Sequence, residues 1–160
     1  MAGREVVKYP DPALRTRAKN VSKVDPSVKK LAEDMIAAMR ETNGLGLAAN
    51  QVGVLQRIFV YDDGTGPGVL INPKIVSAKG EQLGVEGCLS VPGLQGEVKR
   101  AEEIVVKGTD LSGKSVKIKV QGLLARVFQH EVDHLNGTLF IDRAEPDSLY
   151  CVAEEEQREA

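Results

Sequence analysis

A five-residue segment, His130-Glu131-Val132-Asp133-His134, constrains this chain more than any other feature. It contains both of the histidines in the sequence. Side chains four residues apart on an α-helix lie one above the other, and two imidazoles at that spacing can bind one metal ion. The glutamate between them would lie beside the ion and could accept a proton from water. The segment therefore predicts a metal-binding helix around which the rest of the chain folds.

The residues around this segment have a helical pattern over about 122–136. One sector of the helical wheel contains Leu123, Val127, His130 and His134. That sector is apolar, and a buried imidazole is stable there when it binds a metal. The wheel therefore predicts that both histidines face the core, and it places Arg126 and Asp133 on the far side of the helix.

The rest of the chain mixes helical and strand patterns. Asp25-Pro26 predicts the start of a first helix over about 26–42. Apolar runs and alternating patterns predict strands at 57–62 and 69–71 and a hairpin within 98–120. A short acidic helix is predicted after Pro146. The combination predicts an α+β fold, in which antiparallel β-sheets pack around a central helix that carries the HExxH motif.

Length and charge set further limits. A chain of 160 residues and 17.3 kDa predicts a single domain over 1–160, with a short acidic C-terminal tail over about 145–160. Lys and Arg total 21 against 23 Asp and Glu, so the net charge of −2 predicts no direct nucleic-acid binding. The apolar stretches are too short to span a membrane. The N-terminus lacks the pattern of a signal peptide, and we expect a cytoplasmic protein.

A catalytic metal needs a third protein ligand and one open position. A third histidine six residues after His134, as in one class of metalloproteases, is excluded because Phe140 stands there. The remaining candidates are the glutamates at 154–156 and Cys88, which lies in the segment 86–90 (EGCLS).

Four segments together resemble the motifs of one family. The segments are 9–15 (YPDPALR), 44–51 (GLGLAANQ), 86–90 (EGCLS) and 129–134 (QHEVDH). In this order and at these separations they resemble peptide deformylases, and the resemblance extends from about residue 6 to about residue 142. It implies a hydrolase that removes the formyl group from the N-terminal formylmethionine of nascent peptides and releases formate.

The resemblance also implies a role for particular residues. It implies that Cys88, His130 and His134 bind one divalent metal ion, ferrous iron first, with zinc, nickel or cobalt able to substitute. Glu131 would take a proton from water activated by that metal. The Gln51 side-chain amide and the Leu89 backbone N–H would bind the oxyanion.

The resemblance assigns the substrate site and the partners as well. The implied substrate-binding residues are Leu45, Gly46, Glu86, Gly87, Leu123 and Val127. Arg126 occupies a position that is apolar in many relatives. Nascent peptides imply a transient encounter with the ribosome. Many relatives dock there through a basic C-terminal helix, whereas the tail of this chain is acidic and would repel RNA.

Two alternative functions use the same helix. A metalloprotease would take its third ligand from 154–156. A non-enzymatic domain would instead close a structural zinc site with Cys88, Cys151 and both histidines.

Overall fold

The structure is a computed structural model that describes residues 4–152. Its helices are α1 (Pro26–Glu41), α2 (Gly122–Leu135) and α3 (Phe140–Arg143), and single 3-10 turns cover Pro12–Arg15 and Ala49–Val52. Its strands are β1 (Gly46–Ala48), β2 (Ile58–Asp62), β3 (Pro67–Lys79), β4 (Gln82–Cys88), β5 (Val91–Arg100), β6 (Glu103–Thr109), β7 (Ser115–Gln121) and β8 (Tyr150–Cys151).

The strands form two antiparallel sheets. The larger sheet has the order β1-β2-β3-β6-β7, and the smaller has the order β4-β5-β8. The β4–β5 hairpin therefore leaves the larger sheet after β3, and the chain returns to it at β6. Helices and antiparallel sheets in one fold confirm the predicted α+β class.

Helix α1 covers one side of the larger sheet. The Asp25 carboxylate caps its first turn by accepting a hydrogen bond from the Val28 N–H at 3.0 Å, and Pro26 occupies the first helical position. The buried face of the helix includes Met35 and Met39, which pack against β1 and β2. The helix predicted over 26–42 is confirmed to within one residue at its C-terminal end.

Helix α2 lies between the two sheets. Phe128, Val132 and Leu135 pack on the larger sheet, where they join one core cluster with Phe59 and Ile104. The opposite side of the helix contacts the smaller sheet. Because the helix is covered on two sides, it is the central element of the fold, as predicted.

The prediction of an acidic helix after Pro146 is wrong within the described residues. There Tyr150 and Cys151 form β8, which pairs with Gln95 and Leu94 of β5. Strand β5 would otherwise present unpaired backbone groups at the edge of the smaller sheet, and the passing chain satisfies them. The glutamates of the predicted acidic tail, at 154–156 and 159, lie outside the described residues.

Candidate active site

Three side chains that can bind a metal converge between α2 and the smaller sheet. Cys88 ends β4, and His130 and His134 lie one turn apart on α2. The Cys88 Sγ is 3.3 Å from the His134 Nε2, which is 3.2 Å from the His130 Nε2. One ligand atom from each residue lies within 4.8 Å of the others, as a single ion bonded at about 2.0–2.3 Å requires. The donor set fits a divalent transition metal.

The surroundings of the two histidines differ. Burial lowers the pKa of His130, but hydrogen bonds with Cys88 and Glu86 outweigh it and raise that pKa well above its usual value. The Nδ1 of His130 is hydrogen-bonded to the Glu86 carboxylate at 2.9 Å, so its Nε2 is left to face the other ligands. Burial lowers the pKa of His134 well below its usual value and keeps that imidazole neutral. A neutral imidazole is the form that binds a metal.

Glu86 holds His130 from the centre of a buried ion-pair network. Its two oxygens accept hydrogen bonds from Arg100, each at 2.9 Å, and Arg126 donates to one of them at 2.5 Å. Burial disfavours the charged carboxylate, but hydrogen bonds with Arg100 and His130 outweigh it and hold the pKa of Glu86 well below its usual range. Both oxygens are therefore engaged, and the predicted contact of Glu86 with substrate stays a prediction.

Asp133 extends the network along α2. It accepts a hydrogen bond from Arg100 at 2.6 Å and two from Arg143, at 2.5 and 2.9 Å. Arg100 therefore bridges the smaller sheet and the central helix. The sequence analysis did not identify Arg100, because a single arginine at the end of a strand has no motif that distinguishes it from a surface cation.

The position of Arg126 corrects the helical wheel. The wheel places Arg126 and Asp133 on the far side of α2, yet both are buried. Arg126 also donates to the Val98 carbonyl at 3.0 Å, so its guanidinium is enclosed by β4 and β5. A wheel separates an apolar face from a polar one, but here the smaller sheet covers the polar face and buried acids neutralise its cations.

Glu131 differs from Glu86 in forming no direct ion pair within residues 4–152. Its side chain is buried, and its Oε1 has no hydrogen-bond partner among residues 4–152. Burial raises the pKa of Glu131 to about 7. A Cβ atom built on Gly46 would lie 2.8 Å from the Glu131 Oε2 and 2.8 Å from the Val127 Cγ1. The backbone of β1 therefore passes directly over this carboxylate.

Gln51 and Leu89 flank the cysteine. The side-chain Oε1 of Gln51 accepts a hydrogen bond from the Ala48 N–H at 3.0 Å. The side-chain Nε2 of Gln51 lies 3.5 Å from the Cys88 Sγ and 3.2 Å from the Ser90 Oγ. The side chain is fixed with its N–H groups toward the metal ligands. Leu89 lies in the turn between β4 and β5, immediately after Cys88.

The remaining predicted residues include exposed apolar side chains and a glycine next to Cys88. Leu45 and Leu123 are large apolar side chains with 46% and 64% of their surface exposed. Gly87 lies on β4, directly before Cys88, and pairs with Gln95. The structure gives the positions of these residues, and their contact with substrate stays a prediction.

The fold and the site define a metal-dependent hydrolase, with an HExxH helix between two antiparallel sheets and a cysteine completing the ligand set. Residues 3–149 match the family model described as polypeptide deformylase. The peptide deformylase of Dictyoglomus thermophilum is 56% identical over 146 residues, which cover 91% of this chain and 95% of that one.

Solved structures agree with the sequence match. The crystal structure of peptide deformylase from Thermotoga maritima superposes with a TM-score of 0.88 at 46% identity, covering 91% of this chain and 100% of that one. The crystal structure of a peptide deformylase from Legionella pneumophila superposes with a TM-score of 0.87 at 46% identity. The match covers 91% of this chain and 88% of that one. The chain belongs to the peptide deformylase family, and it removes the N-formyl group from nascent peptides.

Family membership and geometry together decide against the alternatives. The metalloprotease hypothesis is rejected because the chain belongs to the peptide deformylase family. The closed zinc site is rejected because Cys151, its fourth ligand, is exposed on β8 and does not join the other three. No helix among residues 4–152 is long and apolar enough to cross a membrane.

Proposed function

We propose that Cys88, His130 and His134 hold ferrous iron as the working metal, with zinc, nickel or cobalt able to replace it. The convergence of one cysteine sulfur and two imidazoles is the observation that carries this proposal. Such ligands suit several transition metals. When bound, the ion supplies Lewis-acid chemistry, because it polarises the formyl carbonyl and lowers the pKa of a water molecule.

Glu131 is the general base and then the general acid. Its carboxylate takes one proton from the attacking water, whose oxygen forms a bond with the formyl carbon. When the carbon–nitrogen bond breaks, the same carboxyl returns that proton to the departing amine. The products are formate and a peptide with a free N-terminus. The unpartnered Oε1 of Glu131 and its position one residue from His130 support this role.

Gln51 and Leu89 stabilise the oxyanion that forms when water adds to the formyl group. An oxyanion needs donors that are fixed before the reaction begins. The Gln51 amide is locked by its bond to the Ala48 N–H, and the Leu89 N–H directly follows the Cys88 ligand. The two donors therefore flank the sulfur from two different elements.

The substrate is an N-formylmethionyl peptide that lies between the two sheets. Strand β1 is the edge of the larger sheet and β4 is an edge of the smaller one. An extended peptide can add to such an edge through main-chain hydrogen bonds, here at Gly46 and Gly87. Leu45, Leu123 and Val127 offer apolar surface to the methionine side chain.

The test of this function is formate release from a short formylmethionyl peptide. Protein prepared without oxygen and loaded with Fe²⁺ is compared with Zn²⁺-loaded protein and with chelated protein. We expect the highest kcat/KM with iron, loss of that rate in air because the thiolate and ferrous iron oxidise, and no turnover after chelation. Equal or higher kcat/KM with zinc would contradict iron as the working metal, and turnover after chelation would contradict the ligand set.

The position of the site residues along the chain and the nature of the substrate bear on domain organisation and cellular location. The site residues extend from Gly46 to His134 and come from both sheets, so we infer that the chain acts as a single domain over 1–160. Because nascent chains are made in the cytoplasm, we place the enzyme there. Its encounter with the ribosome is transient.

A further inference from the structure

Three lysines form a row across three neighbouring strands. Lys74 on β3 is paired with Lys107 on β6, which is paired with Lys117 on β7. Adjacent strands lie about 4.8 Å apart, so the row spans roughly 10 Å. All three side chains are exposed, and none has an ion-pair partner within residues 4–152. We call these three residues the lysine row.

The lysine row lies on the face of the larger sheet that points away from the active site. Val106 and Val120 are buried against α2. Because side chains alternate between the two faces of a strand, Lys107 and Lys117 point to the opposite face. A partner bound to the row therefore leaves the metal site open.

The row is unfavourable for folding by itself. Like charges directly opposite one another in a sheet destabilise it. On β6 and β7, Lys119 is balanced by Glu103 at 3.5 Å, whereas no acid in the described part of the chain forms an ion pair with the row. The three lysines line an open pocket of about 490 Å³ together with Thr109 and Ser115, whose hydroxyl groups can also donate hydrogen bonds, and with Asn72, whose amide is bound to the Val21 backbone. This donor-rich surface is complementary to a ligand with several negative charges.

We propose that the lysine row binds the phosphate backbone of structured RNA. Lysine, threonine and serine are side chains that contact phosphates without reading sequence. None of the described residues that line the pocket is aromatic, so the surface lacks the stacking platform that single strands use. The net charge of −2 averages over the whole chain and does not describe this local concentration of cations. A nascent chain is still joined to RNA while it is being made, which favours RNA over other polyanions.

Binding of a fluorescent RNA hairpin to the metal-loaded full chain tests the proposal. Three phosphate contacts predict a slope of roughly −2.7 for log K against log salt, or a loss of about 40-fold in affinity between 50 and 200 mM salt. The triple variant K74A/K107A/K117A should lose most of that slope and bind at least tenfold more weakly at low salt.

The matched control is K23A/K29A/K30A, which removes the same charge from a segment outside the larger sheet. It should bind RNA as the parent chain does. Both triple variants should keep the parent rate of formate release from a short peptide, which shows that folding and catalysis are intact. A failure of the deformylase mechanism would appear in that rate and not in RNA binding.

Three outcomes would overturn the proposal. The first is a parent chain whose RNA affinity does not depend on salt. The second is an equal loss of binding in both triple variants, which would assign the effect to net charge. The third is competition by poly-glutamate as strong as that by RNA, which would point to an acidic protein as the partner.

Discussion

Two buried glutamates near the metal ligands have opposite surroundings. Glu86 is matched by Arg100 and Arg126, and its pKa is held well below its usual range. Among the described residues Glu131 forms no direct ion pair, and burial raises its pKa to about 7. One residue type therefore serves two purposes, because the environment decides whether the carboxylate is a fixed counterion or a group that can exchange a proton.

Replacing Glu131 separates proton transfer from metal binding. We expect E131Q to keep its metal, since the carboxylate is outside the ligand group, and to lose about 10²–10⁴-fold in kcat. Metal content by elemental analysis and formate release measure the two properties. A variant that loses metal in proportion to activity would assign Glu131 to the ligand set.

Replacing Glu86 should lower both the stability of the fold and the affinity for the metal. E86Q removes the charged partner of Arg126 and one of the two charged partners of Arg100 in a buried site, and we expect a loss of about 3 kcal/mol in the free energy of unfolding. His130 also loses its orienting carboxylate, so metal affinity should fall by roughly 10–100-fold. Urea unfolding and metal titration measure the effects. E81Q, at an exposed position, is the control and should change neither.

At the scale of elements, β1 can lie close to α2 because Gly46 has no side chain. The Cβ of an alanine at Gly46 would come within 2.8 Å of both Glu131 and Val127. Contacts that short force the strand or the helix to move. The glycine in this motif therefore serves the close approach of β1 to α2, in addition to any contact with the substrate.

G46A should cost about 1–3 kcal/mol in stability and most of the activity, because it displaces the Glu131 carboxylate. G44A is the control, since its nearest contacts would be 3.5 Å or longer. Thermal unfolding and kcat distinguish the two variants. Equal activity in both would mean that the strand absorbs the added methyl group.

The elements also show which parts of the fold the sequence could predict. Helices α1 and α2 were predictable because capping residues mark the start of α1 and apolar periodicity runs through both. Strands β4 and β5 were not, because glycines at positions such as 84, 87, 93 and 96 weaken any strand pattern. The metal ligands follow from motifs, whereas the burial of Arg126 depends on a sheet that local sequence does not reveal.

At the scale of the whole molecule, the metal site joins two layers. Cys88 belongs to the smaller sheet and the histidines belong to α2. A bound ion therefore adds a link between parts that already share ion pairs. Since the ion binds the folded chain, it stabilises the fold by mass action.

Metal removal should lower the stability without unfolding the protein. An ion present at 1,000 times its Kd contributes about 4 kcal/mol, or roughly 8–16 °C in Tm for a chain of this size. Calorimetry before and after chelation measures the difference. In C88A the difference should nearly vanish, whereas C151A should behave as the parent chain because Cys151 is exposed and away from the site. A large chelation effect in C88A would show that the ion binds elsewhere.

The bridge made by Arg100 bears on how the enzyme acquires its ion. Arg100 connects Glu86 and Asp133 through direct contacts, so the smaller sheet and the central helix are linked by ion pairs that do not involve the metal ligands Cys88 and His134. We therefore expect the chain to fold before it binds its ion, unlike a zinc finger, which has no structure until it is loaded. On that expectation one divalent ion can replace another without unfolding of the chain, and the metals available to the folded protein determine which of them binds.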